Sequence, residues 1–192
     1  MPTASKFTFG NIALLLILAM IAACGYRPLS KIYELPELNG AEPLAIYMPM
    51  WGNATNEFGL ESRVYNKIAD WLQGSEHILL KKKAAEAEYV LTGTIASLDL
   101  TTTRGTVRLT VRYSLKNTTT GEMIWPVASN TFSKSYLITG DSFTTDNERE
   151  KALDEIADDL GEKIYVRLLN AMTELRKIPA ATKNDSAAGI KP

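Results

Sequence analysis

The stretch TVRLTVRYSLK, at residues 106–116, determines the kind of fold that this chain can form. Every second side chain in it is apolar, namely Val107, Leu109, Val111, Tyr113 and Leu115. The side chains between them are polar or charged: Thr106, Arg108, Thr110, Arg112, Ser114 and Lys116. A period of two predicts a β-strand with one face in a core and the other facing water or a ligand, as in an antiparallel sheet covered on one side.

Further strands are predicted on both sides of this stretch. A turn (NTTTG) leads into a long strand at residues 123–138, and Pro126 cannot donate to a ladder there, which predicts an edge position or a bulge. Upstream, residues 89–98 alternate in a similar way. Short apolar runs at residues 44–48 and 77–80 predict two more strands.

A first amphipathic helix is predicted between the two short strands. Apolar residues recur at helical spacing from residue 60 to residue 72, and the polar sequence NATN at residues 53–56 offers N-cap side chains ahead of them. We expect Gly74 to end this helix.

A second, longer helix is predicted near the C-terminus. Thr145 and Glu148 have the spacing of a capping box, and Pro179 would end the helix. Its apolar stripe consists of Leu153, Ile156, Ala157, Leu160, Ile164, Leu168, Met172 and Leu175. The predicted fold class is therefore α+β: a two-layer sandwich in which two helices pack on one mostly antiparallel or mixed sheet of four to five strands.

Composition excludes several functional classes. With 192 residues, 22% of them charged, and a net charge of −1, the chain is an ordinary folded protein rather than a nucleic-acid-binding one. One cysteine excludes an intramolecular disulfide, and His77, the sole histidine, argues against a His-based triad or a multi-His metal site. The acidic pairs 158/159 and 148/150 are expected to be solvent-facing charges on the long helix. We therefore predict neither an enzyme nor a cofactor.

The N-terminal residues are typical of an exported lipoprotein. Residues 12–21 (IALLLILAMI) span about 15 Å as a helix, which suits the apolar region of a signal peptide rather than a membrane anchor. The sequence IAAC that ends at Cys24 resembles the bacterial lipobox, which implies that the Cys24 thiol is lipidated. Gly25 in place of aspartate implies the outer membrane, on its periplasmic side. The alternative is a simple secretory signal followed by a free or buried cysteine.

Four segments are predicted on this basis. Residues 1–23 form a lipoprotein signal peptide, and residues 24–43, with three prolines, form a lipidated tether. Residues 44–178 form the α+β domain, and residues 179–192, rich in Ala, Lys, Asn and Ser, form a disordered tail.

Several stretches of the mature chain resemble, in order and spacing, the LptE family of lipopolysaccharide-assembly lipoproteins. They are CGYRP at 24–28, a strand ending near Pro49, AEYVLTGT at 87–94, TGEMIW at 120–125, and Gly140-Asp141 ahead of NEREKAL at 147–153. The resemblance covers about residues 24–176. It implies a plug inside the β-barrel of LptD that helps insert lipopolysaccharide into the outer leaflet. The residue pattern alone predicts only a periplasmic binding lipoprotein.

Cationic side chains are the candidate binding residues. Arg104, Arg108, Arg112 and Lys116 recur at every fourth position, so they share one face of a strand and the loop before it. The planar guanidinium group suits the phosphates of lipopolysaccharide, and Lys81, Lys82 and Lys83 form a second basic patch. Two alternatives remain. These charges either protect an exposed sheet from aggregation or dock on acidic positions inside the barrel.

Three functional hypotheses follow from the sequence. The leading one is a non-enzymatic outer-membrane lipoprotein that partners LptD. The second is a periplasm-facing lipoprotein that binds another amphiphile or envelope protein, and the third is a lipoprotein hydrolase. Trp71 lies on the apolar stripe of the first helix and is expected in the core, whereas Trp51 and Trp125 either anchor a partner or are partly buried.

Overall fold

The computed structural model describes Leu38 and residues 40–177. Its elements, in chain order, are β1 (Leu44–Tyr47), β2 (Gly52–Asn53), α1 (Leu60–Gln73), β3 (Ile78–Lys81), a 3₁₀ turn (Ala84–Glu86), β4 (Tyr89–Thr101), β5 (Thr106–Asn117), β6 (Met123–Ser135) and α2 (Ser142–Lys177). The predicted signal peptide, Cys24 and the predicted tail lie outside the described residues.

The strands form one mixed sheet in the order β3-β1-β4-β5-β6. Strand β1 lies parallel to both β3 and β4, whereas β4, β5 and β6 form an antiparallel meander. The two-residue strand β2 pairs in parallel with β4 and was too short to be recognised from its sequence. Both helices belong to the same core as the sheet, which confirms the predicted α+β sandwich.

The apolar face of β5 is the centre of this core, as its alternation predicts. Val107, Leu109 and Val111 have no exposed surface, and the stripe of α2 from Leu153 to Met172 is equally buried. The core also includes Leu38, which is 1% exposed and lies within the segment expected to be a tether.

The starts of both helices differ from the sequence prediction. Helix α1 begins after Gly59, at φ 78°, and has no side-chain cap. Asn53, one of the expected caps, instead accepts hydrogen bonds from Thr55 and donates to the Glu57 carbonyl. Hydrogen bonds within this loop therefore occupy the expected cap, and α1 starts at the left-handed Gly59 instead.

Helix α2 also begins earlier than its predicted capping box. Its first residue is Ser142, and the carboxylate of Asp141 accepts hydrogen bonds from the backbone N–H and the hydroxyl of Thr144 at 2.8 and 2.6 Å. The Thr145 hydroxyl bonds the preceding loop instead. Asp141 therefore acts as the N-cap. The hydroxyl of Thr144, followed by its N–H, lowers the pKa of Asp141.

The sequence predicts either an edge strand or a bulge at Pro126, and both are confirmed. Strand β6 is the last strand of the sheet, and its register against β5 shifts where Ala128 and Trp125 face Tyr113 and Leu115. Pro126 lies inside that shift, where no ladder hydrogen bond is required of it.

Three of the four acidic residues in the pairs of α2 are bound to neighbouring elements, which corrects the prediction that they are only solvent-facing charges. Glu150 pairs with Arg63 of α1, and Asp159 pairs with Lys134 of β6 at 2.9 Å. Asp158 accepts a hydrogen bond from the Trp71 indole at 3.1 Å. These contacts fasten α2 to α1 on one side and to the sheet on the other.

Candidate functional site

The face of the sheet that points away from the helices carries the predicted basic residues. Arg108, Arg112 and Lys116 are exposed on β5, as the alternation requires. The strand pairing places Arg108 between Asp99 and Ser133, and Arg112 between Thr94 and Ser129. We call this surface the basic face.

Hydroxyl groups fill the space between these cations. Thr110 lies within 3.1 Å of the Thr131 hydroxyl, and Ser114 lies within 3.1 Å of the Thr92 hydroxyl. Thr92 and Thr131 belong to the neighbouring strands β4 and β6, so the sequence of β5 alone does not reveal them. The alternate Ser and Thr residues from 129 to 135 were the signal that could have revealed them.

The arginines of the basic face have no ion-pair partners, unlike three cations on the helix side of the domain. Arg63, Lys134 and Arg149 each form a salt bridge with a carboxylate. Among the described residues, Arg108 and Arg112 form none, although Asp99 lies opposite Arg108. Their guanidinium groups are therefore available to an external anion.

The spacing along β5 determines how many anionic groups the face can hold. Residues four apart in a strand lie about 13 Å apart. Arg108, Arg112 and Lys116 therefore each meet a separate phosphate or carboxylate rather than chelating one. This arrangement suits a large polyanion better than a small anion.

The structure places one residue of the lysine patch on the basic face. Lys81 pairs with Tyr47, Tyr47 pairs with Val90, and Val90 pairs with Lys116. Side chains paired in this way lie on the same side of a sheet, so Lys81 and Lys116 face the same side at about 15 Å, three strand spacings apart. Lys82 and Lys83 follow in an exposed connection.

Arg104 lies at the opposite end of the same face, in the turn between β4 and β5. Its side chain is exposed. The backbone N–H of Arg104 donates to the Thr101 carbonyl at 3.3 Å, which closes the turn, and the neighbouring Gly105 adopts φ 54°. The seven predicted residues thus occupy a band along the basic face and around its β3 end.

The tryptophans belong to the core and do not form a partner surface. Trp51 is 2% exposed and stacks on Tyr113 at 6.0 Å, while Trp125 meets Tyr113 edge-on and lies under the Arg167 guanidinium. Trp71 is buried between α1 and α2, as its position on the apolar stripe predicts. The hypothesis that Trp51 or Trp125 anchors a partner is therefore wrong.

Other candidate sites are not supported within residues 40–177. No group of three His, Cys, Asp or Glu side chains there could hold a metal ion. His77 is half-buried, and its backbone N–H donates to the Ser75 hydroxyl. No helix in this part of the chain is long and apolar enough to span a bilayer.

The comparison with protein families identifies the group to which this sandwich belongs. The model of the LptE family, described as lipopolysaccharide-assembly, matches residues 44–168. The chain belongs to the LptE family. This range includes β5, the basic face and most of α2, so the match involves the whole sandwich rather than one motif. No curated protein matches the chain.

Solved structures share the fold of this LptE-family chain at low sequence identity. A hypothetical protein from Chlamydia trachomatis is 16% identical, with a TM-score of 0.52, and the match covers 67% of this chain and 96% of that one. A protein from Xanthomonas campestris is 10% identical, with a TM-score of 0.50, covering 71% of this chain and 91% of that one. At this identity the likeness shows the architecture alone.

Proposed function

We propose that this LptE-family protein is a lipid-anchored lipoprotein of the outer membrane that partners an LptD-type β-barrel in lipopolysaccharide assembly. Membership of a lipopolysaccharide-assembly family supports the general role. We further propose that the basic face contacts lipopolysaccharide directly.

The observation that carries this proposal is a row of exposed cations on β5 that have no carboxylate partners. Arg63, Lys134 and Arg149 on the helix side are neutralised by carboxylates, whereas Arg108, Arg112 and Lys116 are exposed and unpaired among the described residues. Guanidinium groups bind phosphate with two parallel hydrogen bonds, and neighbouring hydroxyls can donate to sugar or phosphate oxygens. Separate cations about 13 Å apart match an extended, multiply charged headgroup.

The described chain enters the domain at one end of this face. Strand β1 starts at Leu44, and its Ala45 carbonyl accepts a hydrogen bond from Glu88, just before β4. Leu44 pairs with Ile78 at the start of β3, so the chain enters the domain at the end of the basic face that is nearer to Lys116 than to Arg104. In this proposal Lys116 lies nearer the anchored end, and Arg104 lies at the far end.

The experiment that tests ligand contact is a charge reversal of the basic face. We expect Arg108→Glu with Arg112→Glu to weaken lipopolysaccharide binding at least tenfold, because two positive charges become negative and the net charge falls by four units. Added salt should weaken binding by the unmodified protein, since exposed ion pairs are screened over about 8–10 Å at physiological ionic strength. Binding would be measured on the full-length protein in mild detergent.

A matched control reverses the same amount of charge elsewhere. Lys67 and Lys151 lie on α1 and α2, away from the basic face, so Lys67→Glu with Lys151→Glu should leave binding unchanged. Equal losses in both double variants would mean that net charge alone attracts the ligand. If the Arg108/Arg112 variant no longer co-purifies with the β-barrel protein but still binds lipopolysaccharide, the basic face is instead a docking surface for the barrel.

The lipid anchor is tested separately through Cys24. We expect Cys24→Ala to abolish incorporation of a tagged palmitate and to leave an unprocessed or mislocalised precursor, because Cys24 is the sole cysteine. Co-purification of a large β-barrel with the wild-type protein would support the proposed partnership. Palmitate retained by the alanine variant would overturn the lipoprotein assignment.

A further inference from the structure

The two edges of the sheet differ in how well they are protected against strand addition. Strand β3 has four residues and is followed by Lys82 and Lys83, and short strands with lysines discourage edge pairing. Strand β6 has thirteen residues, and its pairing with β5 runs without a register shift from Ala128 to Ser135. From residue 128 to residue 135 this longer edge has neither a proline nor a bulge, and Asp159 neutralises its one charged side chain, Lys134.

The hydrogen-bond pattern shows which backbone groups of β6 are unused. Tyr136 N–H donates to the Gly105 carbonyl at 2.6 Å, so this pair is hydrogen-bonded across the strands. In an antiparallel ladder such pairs alternate with pairs that direct their N–H and C=O groups outward. Ser129, Thr131 and Ser133 therefore present their backbone groups at the open edge.

A groove in the flank of α2 follows the same edge. Its volume is about 400 Å³, and its lining residues are Asp159, Glu162, Lys163, Val166, Arg167 and Asn170. The groove runs antiparallel to β6, because Asp159 pairs with Lys134 and Lys163 lies over the Phe132 ring. The charge on Lys134, the single charged residue of β6, is thereby directed inward and neutralised.

Two cations in this groove are spaced like alternate residues of a strand. Lys163 Nζ lies 5.2 Å from the centroid of the Phe132 ring, and Arg167 Cζ lies 4.4 Å from that of Trp125. Neither cation forms an ion pair within the described part of the chain. Residues four apart on a helix lie about 6 Å apart. Same-face side chains of an extended strand repeat at nearly that distance, about 6.7 Å.

We propose that the β6 edge and the α2 flank together bind an extended segment of a partner protein. The segment adds to the sheet beside residues 128–135, and acidic side chains at alternate positions face Lys163 and Arg167. Backbone hydrogen bonds supply affinity in this mode, and the alternate side chains supply specificity. The site lies on the edge and helix side of the domain, so it is independent of the lipopolysaccharide proposal.

A peptide partner fits these observations better than two other occupants. An anionic lipid could pair with the cations but would leave the outward backbone groups of β6 to water. The C-terminal residues 178–192 of this chain carry two lysines and one aspartate, so they offer no alternate acidic side chains to Lys163 and Arg167.

The test uses the full-length protein in mild detergent and a synthetic eight-residue peptide with glutamate at alternate positions and threonine or valine between them. We expect the peptide to slow amide hydrogen exchange at Ser129, Thr131 and Ser133. Binding should fall at least tenfold in Ser133→Pro, which removes one outward N–H, and persist in the matched variant Ser133→Ala. Proline is tolerated on edge strands at such positions, and the Tm of each variant would verify folding.

Charge variants keep the proposal falsifiable if Ser133→Pro fails to fold. Lys163→Glu and Arg167→Gln should each weaken binding of the acidic peptide. A peptide with lysine in place of glutamate should bind the unmodified protein poorly. Equal binding of both peptides, or unchanged binding in Ser133→Pro, would overturn the proposal. A lipid site would also overturn the proposal. It would be indicated if dodecyl phosphate competed with the peptide and bound Ser133→Pro with the same affinity as the wild-type protein.

Discussion

The two faces of β5 show how a single strand separates stability from binding. The face formed by Val107, Leu109 and Val111 is completely buried, and each of these side chains touches the rest of the core. The face with Arg108 and Arg112 is exposed and makes no ion pair among the described residues. The first face therefore tolerates few changes, whereas the second can change its charge without changing the fold.

The largest expected effect comes from placing a charge on the buried face. Val111→Asp buries a carboxylate with no partner, which costs several kcal/mol or raises its pKa steeply. We expect loss of cooperative thermal unfolding. Thr110→Asp, one residue away on the other face and flanked by two arginines, is the control and should unfold near the wild-type temperature. An unchanged Tm for Val111→Asp would mean that Val111 lies on the exposed face of β5 and not on the buried one.

A smaller loss is expected where the core requires a glycine. A Cβ at Gly93 would lie 2.3 Å from the ring of Trp51, which is itself buried against Tyr113. Overpacking of this kind costs about 1–3 kcal/mol, so Gly93→Ala should lower the free energy of unfolding by that amount. Gly140→Ala is the control, because nothing lies within 4 Å of its Cβ. Equal unfolding curves for both variants would show that Trp51 moves freely.

A still smaller, pH-dependent effect is expected at the start of the helix that covers the buried face. Bonds from Thr144 lower the pKa of Asp141 below its ordinary value of 3.8, so its carboxylate stabilises the folded state above that pH. The contribution is lost as the pH falls through the lowered pKa. Asp141→Ala should therefore lower Tm at pH 7 and converge with wild type in acid. A Tm difference that stays constant from pH 7 to pH 3 would contradict this cap.

The smallest effect on stability is expected on the basic face, where the effect on binding is largest. Arg108→Glu with Arg112→Glu should change the free energy of unfolding by about 0.5 kcal/mol or less, as surface substitutions usually do. Denaturant unfolding beside the lipopolysaccharide assay would measure both properties. A large loss of stability would show that these arginines contribute to folding. The conclusion that one face of β5 provides stability and the other provides binding would then be wrong.

The chain order of hydrophobic and polar residues was sufficient to predict the sandwich and most of its core. Alternation is a local property, so residues 106–116 had to form a strand with known faces, and the stripe of α2 had to lie against it. Pro126 and Gly74 marked a bulge and a helix end for the same local reason. The exposure of Arg108, Arg112 and Lys116 followed directly from this alternation.

Tertiary structure alone decided which distant residues became neighbours. The parallel pairing of β1 with β3 and β4 places Lys81 on the face of Lys116, and α2 neutralises Lys134 through Asp159. Local pattern sets which face of an element is apolar, because it depends on backbone periodicity. The partner of each polar group depends on how the elements assemble, and only the folded chain determines that.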